Sequence, residues 1–403
     1  MQTAPSRATS KANADNANIR LRPKAGAKTS IKLKRTLPQL NKYPYFALKN
    51  ANDRFFNAQS LSLAGKTPFS VVYENELVSL RHYSVQSLQA ESAPLIIKKH
   101  RVPVVIVPPL AVNMLIYDLF PQRSFIRFLL QHGFEVYLID WGKPSRKHAK
   151  YHLGTYIQKL LPEFLQQVRQ HSGQDELSLH GWSLGGVFAL TYTALYQDKK
   201  IRNIILQGSP IDTHKSGYMG KVYQFLNRRA QWVRQNTPFR LRQLPSQYFH
   251  IAGWQTTLGF KLTDPIGSLR GYWDLVKNLL DREEVANHAT SSAFLDNMLA
   301  YPGGVARDLV LRFWIDNELS QGQMQFKDQT AYLKEVDSAL LAMGSKSDNF
   351  VTADAVEPVL DLVSSQDKQF SYIPGGHMGI VSGKKAPTEI WPLIADWLDQ
   401  RSD

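Results

Sequence analysis

The segment Gly181-Trp182-Ser183-Leu184-Gly185 constrains the fold of this 403-residue chain more than any other feature. Residues 177–180 before it have the pattern of a short buried strand, and residues 185–197 after it form an apolar helical pattern. A sharp turn from strand to helix crowds the two glycine positions and holds the serine hydroxyl at the edge of a sheet. The segment therefore predicts that Ser183 is a nucleophile placed at the start of a helix.

Short strand patterns alternate with helical patterns on both sides of this segment. The predicted strands are 70–72 and 77–81, which form a hairpin, and then 104–107, 135–139, 177–180, 201–206, 339–343 and 369–373. The predicted helices are 125–131, 153–170, 185–197 and 388–398. This alternation predicts a doubly wound, mostly parallel sheet, and with the serine turn it indicates an α/β-hydrolase fold. The apolar stretch 102–120 contains Pro108 and Pro109, so we expect a strand and a loop there rather than a membrane span.

The chain divides into four predicted regions. Residues 213–325 lack a convincing strand and are predicted to form a mostly helical cap inserted between two parts of the core, 43–212 and 326–403. Residues 1–42 are predicted to be a disordered basic tail, because the first 40 residues contain nine Lys or Arg and one acid within a total net charge of +14. Such a tail could bind a polymer granule or an anionic membrane surface, or have no partner. No nucleic-acid partner is expected.

A serine nucleophile needs a general base and an acid that orients it. His377 follows the last predicted strand and precedes the last helix, which is where this fold supplies its histidine. Asp348 follows the 339–343 strand and is our choice for the acid. Asp212, after the 201–206 strand, is the alternative, and its other role would be to cap a helix.

Two backbone N–H groups are predicted to form the oxyanion hole. One belongs to Leu184, directly after the nucleophile. The other should follow the 104–107 strand, where Pro108 and Pro109 have no N–H, so Leu110 is the first donor available and Ala111 the next. No metal-site spacing is present, and the absence of cysteine excludes disulfides, thiolate metal sites and cysteine nucleophiles.

The chain resembles the poly(3-hydroxyalkanoate) synthases, particularly the short type that works with a second subunit. The resemblance runs from about residue 67 to residue 398. It rests on Thr67-Pro68, Val107-Pro108-Pro109, Ile116-Tyr117-Asp118-Leu119, Gly133-Phe134-Glu135-Val136-Tyr137, Asp140-Trp141-Gly142, Asn317-Glu318-Leu319, Gly375-Gly376-His377, Trp391-Pro392 and Trp397-Leu398 in this order. In that family a cysteine attacks the thioester of a hydroxyacyl-coenzyme A. The resemblance implies the same roles for Ser183, Asp348 and His377.

The sequence departs from that family at three places. Serine replaces the nucleophilic cysteine, Asn349 follows the acid where the family usually has histidine, and the region of Asn113 differs from the asparagine–lysine pattern. A cysteine thioester exchanges readily, whereas a serine ester is more often hydrolysed. The changes bear on polymer formation rather than on acyl transfer itself.

The predicted cap carries cations and aromatic side chains that could bind a substrate. The candidate residues are Arg228, Arg229, Arg234, Arg240, Trp232 and Trp254. Arginine side chains suit the phosphates of coenzyme A, which would enter as part of a substrate and not as a cofactor. The alternative is a solvated basic surface over an aromatic core.

The sequence therefore predicts a cytoplasmic serine hydrolase or acyltransferase, peripheral to a granule or membrane if the tail binds one. It would act on hydroxyacyl or other acyl esters or on acyl-coenzyme A thioesters, alone, as a homodimer or with a second subunit. The alternatives are a polymerase that uses serine and a non-catalytic binding protein.

Overall fold

The computed structural model describes residues 43–91, 98–263 and 265–403. The predicted basic tail, residues 1–42, lies outside the described residues. Within the described ranges, no helix combines the length and the apolar character needed to cross a lipid bilayer. The apolar stretch 102–120 forms a strand, a loop and a short 3-10 helix, Met114–Asp118.

Ten strands and fourteen α-helices are described. The strands are β1 (Ser70–Glu74), β2 (Ser79–Tyr83), β3 (Val104–Val107), β4 (Val136–Asp140), β5 (Leu177–Trp182), β6 (Ile201–Gln207), β7 (Gln323–Gln325), β8 (Thr330–Tyr332), β9 (Ala339–Gly344) and β10 (Lys368–Tyr372). The helices are α1 (Tyr43–Phe56), α2 (Val85–Glu91), α3 (Phe125–Gln131), α4 (Leu161–Ser172), α5 (Leu184–Tyr196), α6 (Gly217–Asn236), α7 (Gly253–Thr263), α8 (Pro265–Lys277), α9 (Arg282–Asp296), α10 (Gly303–Asp308), α11 (Ala353–Val356), α12 (Val359–Leu362), α13 (Gly379–Ser382) and α14 (Trp391–Asp399). Three π-helical runs adjoin α-helices. Two of them precede a helix, Thr155–Leu160 before α4 and Ala386–Ile390 before α14, and the third, Leu309–Ile315, follows α10.

Eight strands form one sheet in the order β1-β2-β4-β3-β5-β6-β9-β10. Strand β2 pairs antiparallel with β1 on one side and with β4 on the other, and every other pair in this sheet is parallel. The parallel strands place their carboxyl ends at one edge, where ligands and catalytic groups collect in such sheets. The predicted doubly wound, mostly parallel sheet with its leading hairpin is confirmed.

Strand β3 shows why both faces of the sheet are covered by helices. All four of its side chains are fully buried. Val105 and Val107 belong to the hydrophobic cluster on one face, while Val104 and Ile106 belong to the cluster on the other. Because successive strand residues point to opposite faces, a continuous apolar run needs cover on both sides. Burial of each such side chain contributes about 1.5–3 kcal/mol.

A long insertion separates β6 from β9, two neighbouring parallel strands. Helices α6 to α10 occupy most of it. The hairpin of β7 and β8 follows them, so the predicted boundary at residue 325 falls within this hairpin. Strands of three residues are too short to produce a recognisable alternation, which is why the sequence pattern missed them.

Helix α1 is an element that the sequence patterns did not predict. Its buried residues are polar: the Asn50 amide donates to the carbonyl of Leu279 at 2.9 Å, and Arg54 Nε donates to His288 Nδ1 at 2.9 Å. Both partners lie in the insertion, His288 in α9 and Leu279 directly after α8, so these two bonds hold α1 against the insertion. A helix that is held by polar contacts has no apolar periodicity to detect.

Candidate active site

The turn between β5 and α5 holds Ser183 in a strained backbone conformation, with φ of 54° and ψ of −127°. A Cβ on Gly181 would lie 2.3 Å from the Cα of Gly186, and a Cβ on Gly185 would lie 1.9 Å from the carbonyl oxygen of Val107. Both positions therefore require glycine. Strain at such a residue costs on the order of 1–3 kcal/mol and is tolerated because the surrounding strands fix the turn. The serine hydroxyl is consequently presented at the carboxyl edge of the sheet.

Three side chains from separate loops form a continuous hydrogen-bonded chain. His377 Nε2 lies 3.0 Å from Ser183 Oγ, and His377 Nδ1 lies 2.7 Å from Asp348 Oδ2. Asp348 is almost completely buried, and its other oxygen accepts hydrogen bonds from the N–H groups of Phe350 (2.8 Å) and Val351 (2.9 Å). These two N–H groups fix the orientation of the carboxylate, which leaves Oδ2 directed at the histidine.

Leu184 is the first residue of α5, directly after Ser183, and Leu110 lies in the loop after β3. Strand β3 pairs with β5 so that Val107 is opposite Gly181, and Leu110 follows three residues later. Neither N–H donates to an acceptor in the described part of the chain. Trp141 Nε1 donates to the carbonyl of Pro108 at 2.8 Å, which fixes the loop that carries Leu110. Both N–H groups thus lack an acceptor among the described residues, and their role in an oxyanion hole stays a prediction.

A family model described as the alpha/beta hydrolase fold matches residues 102–384, which is more than half of the chain. The chain belongs to the α/β hydrolase fold family. The predicted fold class is therefore confirmed.

Two relatives of this α/β hydrolase extend over most of its length. The poly(3-hydroxyalkanoate) polymerase subunit PhaC of Haloferax mediterranei is 27% identical over 354 residues, covering 88% of this chain and 68% of its own. The subunit of the same name from Allochromatium vinosum is 28% identical over 354 residues, covering 87% and 93%. The predicted resemblance to this family is confirmed. The fold and these relatives make the protein an enzyme of the synthase or hydrolase type.

The solved structure of a soluble variant of monoglyceride lipase from Saccharomyces cerevisiae has the same fold. It is 16% identical to this α/β hydrolase, with a TM-score of 0.50, and the match covers 83% of this chain and 97% of the lipase. This likeness is evidence of fold alone.

The alternative acid, Asp212, lies elsewhere in the α/β hydrolase. Its Oδ1 accepts from the Asn317 amide at 2.7 Å, and Lys215 Nζ is 3.6 Å from its Oδ2. Asp212 precedes a short 3-10 helix without capping it through its side chain. Asp348 is therefore the carboxylate that the structure brings to His377, and Asp212 joins the sheet to the insertion.

The six candidate substrate residues of the predicted cap do not contact Ser183, Asp348 or His377 within the described ranges. Arg234 forms two hydrogen bonds with Asp316, and Arg240 donates to the carbonyls of Thr237 and Phe239. Trp232 and Trp254 are exposed, as are Arg228 and Arg229. The structure thus distributes these residues over the insertion instead of assembling them around one pocket.

Gln207 is a residue of the site that sequence patterns missed. Its side-chain amide donates to the carbonyl of Ile380 at 2.7 Å, and its Oε1 lies 3.0 Å from His180 Nε2. Its backbone carbonyl accepts the N–H of Ser183 at 2.9 Å. Two of these contacts join β6 to β5 and the serine turn, and the bond to Ile380 joins β6 to α13, directly after the loop that carries His377. A buried glutamine at the end of an apolar strand was the available signal.

Burial lowers the pKa of His180 to about 4, so this side chain is neutral at physiological pH. Phe125 and Tyr117 surround its ring, at centroid distances of 4.9 and 6.1 Å. A neutral His180 can donate its Nε2 proton to Gln207. The described residues contain no group of three His, Asp or Glu side chains placed to hold a metal ion.

Proposed function

We propose that this α/β hydrolase transfers acyl groups through Ser183, with His377 as general base and Asp348 as the acid that orients it. The observation that carries this proposal is the continuous chain of hydrogen bonds from Ser183 Oγ through both nitrogens of His377 to Asp348. When Nδ1 carries the ring proton and donates a hydrogen bond to Asp348, the unprotonated Nε2 faces the serine hydroxyl and can accept its proton.

The proposed reaction has two stages. Ser183 Oγ attacks the acyl carbonyl while its proton moves to His377 Nε2, and the N–H groups of Leu184 and Leu110 stabilise the oxyanion. The imidazolium then protonates the leaving alkoxide or thiolate, and an acyl-serine remains. An incoming water, hydroxyl or thiol gives its proton to His377 and attacks this ester, and the imidazolium returns that proton to Ser183 Oγ as the ester bond breaks.

The proposed substrates are hydroxyacyl or other acyl esters and acyl-coenzyme A thioesters. The support is the similarity to two poly(3-hydroxyalkanoate) polymerase subunits over most of this chain. We propose hydrolysis or transfer to a small acceptor as the outcome, because a serine ester exchanges with hydroxyls less readily than a cysteine thioester does.

A fluorophosphonate probe tests the nucleophile directly. We expect the wild-type protein to be labelled and Ser183→Ala to resist labelling, with a loss of p-nitrophenyl ester turnover on the order of 10⁴-fold or more. Ser209→Ala is the matched control, since Ser209 is buried beside the same turn near Gly186 and should leave labelling intact. Equal labelling of Ser183→Ala and wild type would place the reactive group elsewhere and refute the assignment, and no labelling of wild type would favour a non-catalytic binding protein.

Polymer synthesis is the second candidate function, favoured by the same relatives. Incubation with a 3-hydroxyacyl-coenzyme A distinguishes the two, because both release coenzyme A but only one yields oligomers. Mass spectrometry should detect free hydroxy acid from wild type under our proposal. Oligoesters in its place would establish polymer formation on a serine.

A further inference from the structure

Helix α6 (Gly217–Asn236) has one face packed against the rest of the insertion. The ring of Tyr223 stacks on Trp314 at a centroid distance of 5.3 Å. Gly220 lies so close to the preceding turn that a Cβ there would be 2.3 Å from the carbonyl oxygen of His214. Near the end of the helix, Arg234 pairs with Asp316 at 2.6 Å. These contacts fix which face of α6 points outward.

The outward face carries a stripe of aromatic side chains. Tyr218, Phe225 and Trp232 are seven residues apart, which places them one above another after every two turns. They are 79%, 48% and 59% exposed. Single exposed aromatics are ordinary on protein surfaces, but three on one helical stripe form an apolar surface that water solvates poorly.

Cations flank this stripe. Lys221 and Arg228 repeat the seven-residue spacing beside it, and the Arg229 guanidinium lies 5.1 Å from the centre of the Phe225 ring. From position 213 to position 263 the chain has eight Lys or Arg and no acid. Three other cations of this segment pair with acids: Lys215 with Asp212, Arg234 with Asp316 and Lys261 with Asp296. Lys221, Arg228 and Arg229 form no ion pair within the described ranges.

We propose that this face of α6 docks on the surface of an anionic phospholipid bilayer. Aromatic rings are favoured at the boundary between headgroups and acyl chains, and nearby cations bind lipid phosphates and carboxylates. The two groups occupy one face of a 20-residue helix, as a helix lying in the membrane plane requires. A second copy of this chain is a poor occupant, because it would bring two cationic surfaces together.

Vesicle flotation with the full chain tests the proposal. Vesicles of phosphatidylcholine alone are compared with vesicles that also contain phosphatidylserine. We expect binding to the anionic vesicles only, reduced about fivefold for each cation removed in Lys221→Gln and Arg228→Gln. Tyr218→Ser combined with Phe225→Ser should also weaken binding, at unchanged phosphatidylserine content.

The matched control is Tyr332→Ser combined with Lys334→Gln. Tyr332 is an exposed aromatic residue on β8, and Lys334 Nζ lies 5.6 Å from its ring centre, so the same kinds of side chain are removed from another surface. The thermal unfolding midpoint of every variant shows whether it is folded. Equal binding by the α6 variants, the control and wild type would refute the proposal and assign binding to another part of the chain. A concentration-dependent dimer that the α6 variants abolish, without vesicle binding, would instead make this face a protein interface.

Discussion

Asp348 is held in one orientation before any substrate arrives. The N–H groups of Phe350 and Val351 both donate to its Oδ1, so only Oδ2 faces His377. The carboxylate is therefore an acceptor directed at Nδ1, which keeps the other ring nitrogen free to accept a proton. The activity of the site should therefore depend on Asp348 having an oxygen, and not a nitrogen, at the position that faces His377.

Asp348→Asn should lower kcat on the order of 10⁴-fold. The amide oxygen would take the two N–H bonds, which turns the NH₂ group toward His377 Nδ1 and forces the ring proton onto Nε2. A histidine in that tautomer cannot accept the proton of Ser183. Ester hydrolysis measures the effect, and Asp212→Asn is the control, because Asp212 bonds Asn317 and should cost less than about tenfold. The reverse ranking would transfer the acid role to Asp212.

At the scale of elements, the sequence predicted what is periodic or follows a fixed chain order. The strand at 104–107 and the helix at 125–131 have the predicted bounds, because a fully apolar β-branched run and a closing glycine mark them. The three residues chosen for the site follow from one turn motif and the order of strands, and the structure brings them into hydrogen-bond contact; their roles stay predictions.

Other parts could not be predicted, since they depend on contacts between distant segments. Helix α1 is held by polar bonds to residues more than two hundred positions away. Gln207 acquires its partners only when β5, β6 and α13 pack together. No local sequence pattern predicts contacts between such distant segments. The sequence shows only that a polar residue lies within an apolar strand.

Gln207→Leu should lower kcat by about 10- to 100-fold, because α13, directly after the loop that carries His377, would lose its hydrogen bond to β6 and hold His377 less firmly. Asn203→Leu is the matched control. Asn203 is a buried amide on the same strand and bonds Ser178 of β5 at 2.9 Å, away from the carboxyl edge. The free energy of unfolding should fall by about 1–3 kcal/mol in both variants. At a temperature where both are folded, only Gln207→Leu should lose activity. Equal activity losses would mean that Gln207 is merely structural.

At the scale of the whole molecule, the buried His180 makes the stability of the native protein depend on pH. Its pKa is about 4 when folded and ordinary when unfolded, so below about pH 6.5 the unfolded chain binds a proton that the native protein excludes. Native stability from this group is fully present above that pH and falls as the pH decreases toward 4.

The free energy of unfolding should therefore fall by about 3 kcal/mol over that interval on account of His180. Urea titrations of wild type and His180→Leu at a series of pH values measure it, with the variant expected to be less stable at neutral pH but to have a shallower slope. His132→Gln, at an exposed histidine, should retain the wild-type slope. If the stability of wild type and of His180→Leu depended on pH with the same slope, His180 would bind a proton as readily in the native protein as in the unfolded chain, contrary to this prediction.

The hydroxyl at the β5–α5 turn also has a consequence for oxidative damage. Peroxide converts reactive thiolates stepwise to sulfenic, sulfinic and sulfonic acids, and the later steps are irreversible. Ser183 has no sulfur to oxidise, and the chain contains no cysteine that could form a mixed disulfide. On the proposed mechanism, catalysis by this enzyme withstands peroxide and thiol-alkylating reagents that inactivate an enzyme with a cysteine at the same turn.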